Sequence, residues 1–133
     1  MVDVPVPLMS HPVRSVVFVA NLIYAAVLLV LGLSPNLLTF ATGVSDHAAH
    51  ALAYAVQAGL LFALFLPSAG RGMAALLAAA VAVLYGGFVE TLQLLQPERT
   101  FEYIDLGANL VGAGMAASIA FFLTRPREAR AGL

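Results

Sequence analysis

Polar side chains that could carry out chemistry recur along three stretches of this chain, at spacings typical of one face of a helix. The three sets are Asp46, His50, Tyr54 and Gln57; Glu90 and Gln93; and Asp105 and Asn109. Most neighbours within a set are three or four residues apart, so in a helix they project from the same side. Carboxylates and an imidazole arranged in this way could transfer protons, and a nearby Arg99 could hold an anionic group.

The rest of the sequence is strongly apolar, which limits the classes of protein to which it can belong. Of its 133 residues, 62% are hydrophobic and 10% are charged, and the mean hydropathy is +0.96. These values favour a single domain whose main solvent is lipid. The net charge of −1 argues against a nucleic-acid partner. The absence of cysteine excludes disulfides, zinc–thiolate sites and thiol chemistry.

Four long segments are free of Asp, Glu, Lys and Arg: residues 15–33, 47–70, 72–89 and 106–124. About 20 apolar residues are needed to cross a hydrocarbon core of about 30 Å. Proline and glycine residues separate the segments, so the sequence predicts an all-α integral membrane four-helix bundle with helices near residues 13–33, 46–66, 73–95 and 103–123. The first apolar run is too long for a cleaved signal peptide, so we expect the first helix to be retained. It lacks a full series of small residues at every fourth position, so we expect it to be peripheral. Residues 1–12 and 124–133 are the predicted cytoplasmic tails.

The distribution of arginine predicts the orientation of the bundle. An even number of spans places both termini and the loop at 67–72 on one side of the membrane. That side holds Arg14, Arg71, Arg125, Arg127 and Arg130, whereas the opposite side holds only Arg99. The positive-inside rule therefore predicts cytoplasmic termini and an extracytoplasmic position for the polar sets. Small residues at every fourth position, such as Ala74, Ala78, Ala82 and Gly86, predict close packing between the helices.

The polar sets define a candidate site that faces the outer leaflet. Its candidate catalytic residues are Asp46, His50, Glu90 and Asp105, and its candidate substrate-binding residues are Arg99, Tyr54, Gln93 and Asn109. In this hypothesis Asp46 and Glu90 act as an acid–base pair, His50 shuttles a proton and Arg99 grips a phosphate or carboxylate. A divalent cation on the four catalytic residues would be compatible with helical spacing. That spacing is not diagnostic, so no residue is assigned as a metal ligand and the cofactor is left open.

Each residue also has a structural explanation. Asp46 and Asp105 could favour the N-termini of their helices, and Glu90 could form an ion pair with Arg99. His50, Gln93 and Asn109 could hydrogen-bond between helices. Taken one at a time these explanations suffice, but structural need alone does not predict that the polar residues gather at one end of the bundle.

The order and spacing of these residues resemble the signature of VanZ-like membrane proteins. The resemblance covers residues 44–123 and rests on Asp46-x-x-x-His50-x-x-x-Tyr54, Gly86-x-x-x-Glu90-x-x-Gln93, Arg99 and Asp105-x-x-x-Asn109-x-x-Gly112. The family commonly has Lys directly after the first Asp; here that residue is His47, which could supply a positive charge only when protonated. The resemblance implies a small multi-pass protein of the bacterial cytoplasmic (inner) membrane. The family namesake is associated with resistance to the glycopeptide antibiotic teicoplanin, but the resemblance implies no particular reaction.

Two functions remain open at this stage, and they differ in whether the polar cluster meets a ligand. In the first, the site acts on or binds an envelope lipid or a lipid-linked cell-wall intermediate. In the second, the chain is a non-catalytic membrane scaffold or accessory subunit, and the cluster is a structural salt-bridge network. A membrane protein partner or a homo-oligomer is compatible with either function.

Overall fold

The computed structural model describes residues 9–34 and 43–125, and these residues are helical with short connections. Three helices follow one another: α1 (His11–Leu33), α2 (Asp46–Gln93) and α3 (Tyr103–Leu123). The predicted all-α class is confirmed, and the bounds expected for the first and last helices agree with α1 and α3. The outer parts of the two predicted tails, residues 1–8 and 126–133, lie outside the described residues, as do Arg127 and Arg130.

The long helix α2 covers the two central spans that the sequence predicts as separate helices. It is interrupted at Gly70, whose φ of 71° and ψ of 163° are not helical. Only glycine adopts this region readily. Tyr54 and Gly86 nevertheless lie side by side, because a Cβ atom added to Gly86 would be 3.1 Å from Cε1 of Tyr54. A straight helix would separate these two residues by about 48 Å. The chain therefore folds back at Gly70, and α2 consists of a first arm (residues 46–69) and a second arm (residues 71–93).

Small residues make the contacts between the arms and α3 close. Ala74, Ala78 and Ala82 of the second arm have no exposed surface, which confirms the predicted packing face. The tightest contact joins α3 to the first arm, where a Cβ atom at Gly112 would lie 2.6 Å from the carbonyl carbon of Ala51. Such approach of two backbones requires glycine, and it is common where helices pack within lipid.

Helix α1 packs mainly on α2 and is fastened to it by polar side chains. Asn21 Nδ2 donates a hydrogen bond to the carbonyl of Leu60 at 3.1 Å, and Gln57 Nε2 donates one to Asn21 Oδ1 at 3.2 Å. The Tyr24 hydroxyl donates to the carbonyl of Ala53 at 2.9 Å. Much of the remaining surface of α1 is exposed and apolar, as expected for a peripheral helix.

The outer surface of the molecule is suited to lipid. Large apolar side chains that are more than half exposed occur on every helix, among them Val16, Leu22, Leu76, Leu84, Leu110 and Ile119. All three helices are long and apolar enough to cross a membrane. Since so continuous an apolar surface is unfavourable in water, these features indicate a membrane protein.

Arginines gather at the end of the molecule where Gly70 folds the chain. Arg14 donates a hydrogen bond to Ser68 Oγ at 2.9 Å. The guanidinium of Arg71 lies 4.5 Å from the centre of the Phe121 ring, so it reaches the last turn of α3. The polar sets of the sequence lie at the opposite end, where α1 and the second arm finish and where the first arm and α3 begin.

Candidate functional site

The buried carboxylate of Asp105 is the centre of the polar cluster. Asp105 lies in the first turn of α3, where the helix N-terminus favours a negative charge. Its Oδ1 is 2.7 Å from Nδ1 of His47, and its Oδ2 is 3.7 Å from Nε2 of His50. Both histidines belong to the first arm of α2. Asp105 therefore links α3 to α2 instead of serving only its own helix terminus.

His50 is oriented by two neighbours that leave its Nε2 atom facing Asp105. Its Nδ1 is 3.0 Å from Oδ1 of Asn109, which has no exposed surface. Because an amide oxygen can only accept, Nδ1 carries the proton and donates it to Asn109. The ring of His50 also stacks on Tyr54, with centroids 6.4 Å apart. Asn109 and Tyr54 both pack against Gly86, where a side chain would occupy their space.

Asp46 completes a group of three possible ligands. A carboxylate oxygen of Asp46, a ring nitrogen of His50 and a carboxylate oxygen of Asp105 all lie within 4.8 Å of one another. Ser45 caps the helix, since its side chain accepts a hydrogen bond from the backbone N–H of Ala48. Asp46 follows this cap as an exposed residue of the first turn, beside the buried cluster.

Glu90 is the most unusual residue of the cluster. Only 1% of its surface is exposed, and neither carboxylate oxygen has a hydrogen-bond partner among the described residues. The backbone N–H of Glu102 approaches it without reaching hydrogen-bond geometry. Among the described residues, close contacts between a basic and an acidic side chain join only histidines to Asp105, so the alternative of a Glu90–Arg99 ion pair is not seen. A buried carboxyl group without a partner is costly, and it calls for an explanation such as a catalytic role, a bound water or a bound ion.

A half-open pocket of about 70 Å³ gives access to the cluster. Its polar lining consists of Asp46, His50, Tyr54, Gln93, Arg99 and Ser34. Gln93 also holds α1 in place, because its Nε2 donates a hydrogen bond to the carbonyl of Gly32 at 2.7 Å. Five of the eight predicted site residues therefore line one pocket. The other three, Glu90, Asp105 and Asn109, are buried in the adjoining cluster.

A larger apolar groove adjoins this pocket. The groove has a volume of about 240 Å³ and runs between α1 and the first arm of α2. Four residues line both spaces: Leu28, Leu31, Ala49 and Ala53. Beyond them the lining of the groove is apolar except for the hydroxyl of Tyr24. A polar pocket and an apolar groove therefore share one wall.

Two features of the site were not anticipated from the sequence. His47 makes the shortest side-chain contact of the cluster, although the sequence singled it out only as a departure from the VanZ-like pattern. Gln57, which continues the spacing of Asp46, His50 and Tyr54, bonds instead to Asn21 of α1. The polar face of the first arm that belongs to the site therefore ends at Tyr54.

No family model, curated protein or solved structure matches this chain. Its function therefore has to be argued from the geometry of the pocket, the groove and the buried cluster.

Proposed function

We propose that this chain binds a membrane amphiphile, namely an envelope lipid or a lipid-linked cell-wall intermediate. The headgroup occupies the polar pocket, and a hydrocarbon chain occupies the apolar groove. The observation that carries this proposal is the wall shared by the two spaces, at Leu28, Leu31, Ala49 and Ala53. A ligand that fills both spaces must be polar at one end and apolar at the other.

The lining of the pocket suits a phosphate-bearing headgroup. Arg99 offers a planar, permanently charged group that can bind two phosphate oxygens at once. Tyr54 and Gln93 add neutral polar groups, and the Asp46 carboxylate accepts hydrogen bonds from hydroxyl or amino groups. A headgroup that carries both an anion and hydrogen-bond donors therefore fits this lining better than a simple fatty acid does.

The membrane position of the site is part of the proposal. Each arm of α2 crosses the bilayer separately, because a straight helix of 48 residues would be about 72 Å long, against a hydrocarbon core of about 30 Å. With α1 and α3 this makes a four-helix bundle. The arginine-rich end and both termini then lie in the cytoplasm by the positive-inside rule. Membership of the VanZ-like family and residence in the bacterial cytoplasmic membrane belong to the same proposal.

Lipid photolabelling tests the amphiphile site. The full chain is placed in phosphatidylethanolamine nanodiscs that contain phosphatidylglycerol with a photoreactive group on one acyl chain. We expect crosslinks to peptides of α1 and of the first arm. The substitution Ala53→Phe fills the shared wall and should reduce these crosslinks at least fivefold. Ala80→Phe, at an exposed position of the second arm, is the matched control and should leave them unchanged.

Competition then identifies the headgroup. An unlabelled polyprenyl phosphate should displace the probe if the ligand is a lipid-linked intermediate, whereas unlabelled phosphatidylglycerol alone should displace it if the ligand is an envelope phospholipid. Arg99→Gln should weaken the binding of either competitor, because the phosphate loses its charged partner. Equal crosslinking of wild type and Ala53→Phe would show that the probe does not enter the groove.

A structural network is the second candidate, and one observation favours it: the bonds of the cluster join different helices. His47–Asp105 and His50–Asn109 connect α2 to α3, and Gln93 connects α2 to α1. Glu90→Gln separates the two candidates, since Glu90 forms no hydrogen bond within the described chain. Loss of lipid crosslinking at a normal membrane level supports the ligand site. Unchanged crosslinking in Glu90→Gln, with protein lost in Asp105→Asn, supports the network.

A further inference from the structure

When His50 is neutral, its contact with Asp105 brings two electron-rich atoms together. Because Nδ1 of His50 donates to Asn109, the Nε2 atom of a neutral His50 carries a lone pair. This atom faces Oδ2 of Asp105 at 3.7 Å, beyond hydrogen-bond distance. A lone pair and a carboxylate oxygen repel each other in a medium of low dielectric constant unless a cation lies between them.

We propose that Asp46, His50 and Asp105 bind a divalent transition-metal ion. One ligand atom from each residue lies within 4.8 Å of the other two. Two ligands bound tetrahedrally to zinc, at bond lengths of about 2.0–2.2 Å, are about 3.3–3.6 Å apart. The separation of 3.7 Å between His50 Nε2 and Asp105 Oδ2 is close to this value.

The atoms that do not face the ion are held as in known metal sites. A histidine ligand usually donates its second N–H to an acceptor that orients the ring; here Asn109 is that acceptor. The second oxygen of Asp105 is bound by His47 at 2.7 Å, which orients the carboxylate so that Oδ2 faces His50. Asn109 and His47 are therefore positioning residues for the two buried ligands.

Glu90 provides an independent reason for a cation at this position. It is fully buried, has no hydrogen-bond partner among the described residues, and lies near enough to Asp105 for the two carboxyl groups to interact electrostatically. Two neighbouring buried carboxyl groups both stay ionised only when a positive charge compensates them. A divalent ion supplies that charge, and a water molecule bound to the ion would give Glu90 a hydrogen-bond donor.

The ligand set indicates the class of metal and its open side. One imidazole nitrogen with two carboxylates suits zinc or manganese better than calcium or magnesium, which prefer oxygen ligands alone. Asp46 and His50 also line the polar pocket, so the remaining coordination positions of the ion face that pocket. The metal site goes beyond lipid binding and does not depend on it.

Titration with Zn²⁺ in the absence of added lipid tests the metal site. The full chain is purified in detergent with a chelator, dialysed and titrated, and bound metal is measured by elemental analysis. We expect one zinc ion per chain. His50→Gln and Asp105→Asn should each weaken binding at least tenfold, and so should Asp46→Asn, whose exposed side chain can be changed without disturbing the interior. In the wild type, Co²⁺ should give a visible spectrum that Zn²⁺ abolishes.

Two controls match the chemistry of the ligands without sharing their position. His11→Gln removes a histidine at the far end of α1, and Glu98→Gln removes an exposed carboxylate of the segment before α3. Both variants should bind zinc as the wild type does. Absence of stoichiometric zinc in the wild type overturns the proposal. The proposal is also overturned if the single variant Asp46→Asn binds zinc with wild-type affinity and if His50→Gln or Asp105→Asn does so as well.

Discussion

Replacing Gly112 by alanine should separate the two helices that carry the candidate site. A Cβ atom at this position would overlap the carbonyl oxygen of Ala51 and lie 2.6 Å from its carbonyl carbon. Since carbon atoms pack at about 3.5–4.0 Å, α3 and the first arm must move apart by about 1 Å. His50 precedes Ala51 directly, and Asn109 lies one turn before Gly112, so the movement acts directly on the His50–Asn109 hydrogen bond.

The expected loss of stability combines three contributions. Overpacking of a close helix contact costs about 1–3 kcal/mol. The His50–Asn109 hydrogen bond of 3.0 Å would lengthen to about 4 Å and lose about 1 kcal/mol. The higher helix propensity of alanine offsets about 1 kcal/mol of this loss. The free energy of unfolding should therefore fall by about 1–3 kcal/mol in the Gly112→Ala variant.

Gly107 and Gly114 are matched controls in the same helix, because a Cβ atom at either position meets no atom within 4 Å. Alanine there should raise stability by about 0.5–1 kcal/mol through helix propensity alone. The chain contains no Trp, so thermal unfolding is best followed by size-exclusion chromatography of a fluorescent-protein fusion after heating. Gly112→Ala should melt below the wild type, and both controls should melt at or above it. If Gly112→Ala had the same melting temperature as Gly114→Ala, the close contact of α3 with the first arm would be refuted.

Three further predictions test other parts of the structure. Gly86→Ala should lower the melting temperature and weaken zinc binding, because its Cβ would lie 2.6 Å from Nδ2 of Asn109, whereas Gly59→Ala, which meets no atom within 4 Å, should do neither. Asn21→Ala should lower the free energy of unfolding by about 0.6–1.7 kcal/mol, the mean and the maximum measured for hydrogen bonds between membrane helices. An unchanged melting temperature would show that α1 does not depend on this contact. Reporter proteins fused at Thr39 and after Arg130 should report opposite compartments, and a cytoplasmic signal from both would refute four crossings.

The helices were largely predictable because charged and polar residues mark their ends. The bounds expected for α1 and α3 differ from the observed ones by two residues at most. The exact turn between the two arms of α2 was not predictable. Pro67, Gly70 and Gly72 all disfavour a helix, and the sequence does not indicate which residue takes the non-helical conformation. In the structure Gly70 does so, while Pro67 remains within the helix.

The sequence predicted which residues belong to the site better than it predicted which of them contact each other. Spacing along one helix determines which residues share a face, so Asp46, His50 and Tyr54 were expected together. Spacing does not determine how two helices are rotated against each other. That rotation is set by the close approach of Gly112 to Ala51, and it brings His47 to Asp105. Arg99, predicted as a substrate-binding residue and, in the structural alternative, as the partner of Glu90, lines the pocket and forms no ion pair with Glu90.

The position of the site follows from the fold of α2. Because the chain reverses at Gly70, the first and last turns of α2 meet, and residues 40 apart in sequence, His50 and Glu90, come into electrostatic contact. The same reversal places the polar residues at one end of the molecule, which in the proposed membrane position is an end that meets water and headgroups. The long apolar walls of α1 and the first arm lead away from that end. A ligand that approaches through the bilayer would therefore place its hydrocarbon chain in the groove and its headgroup at the carboxylate cluster. An amphiphile in a membrane already has its headgroup at the surface and its chain in the interior, so it fits the site without reorientation.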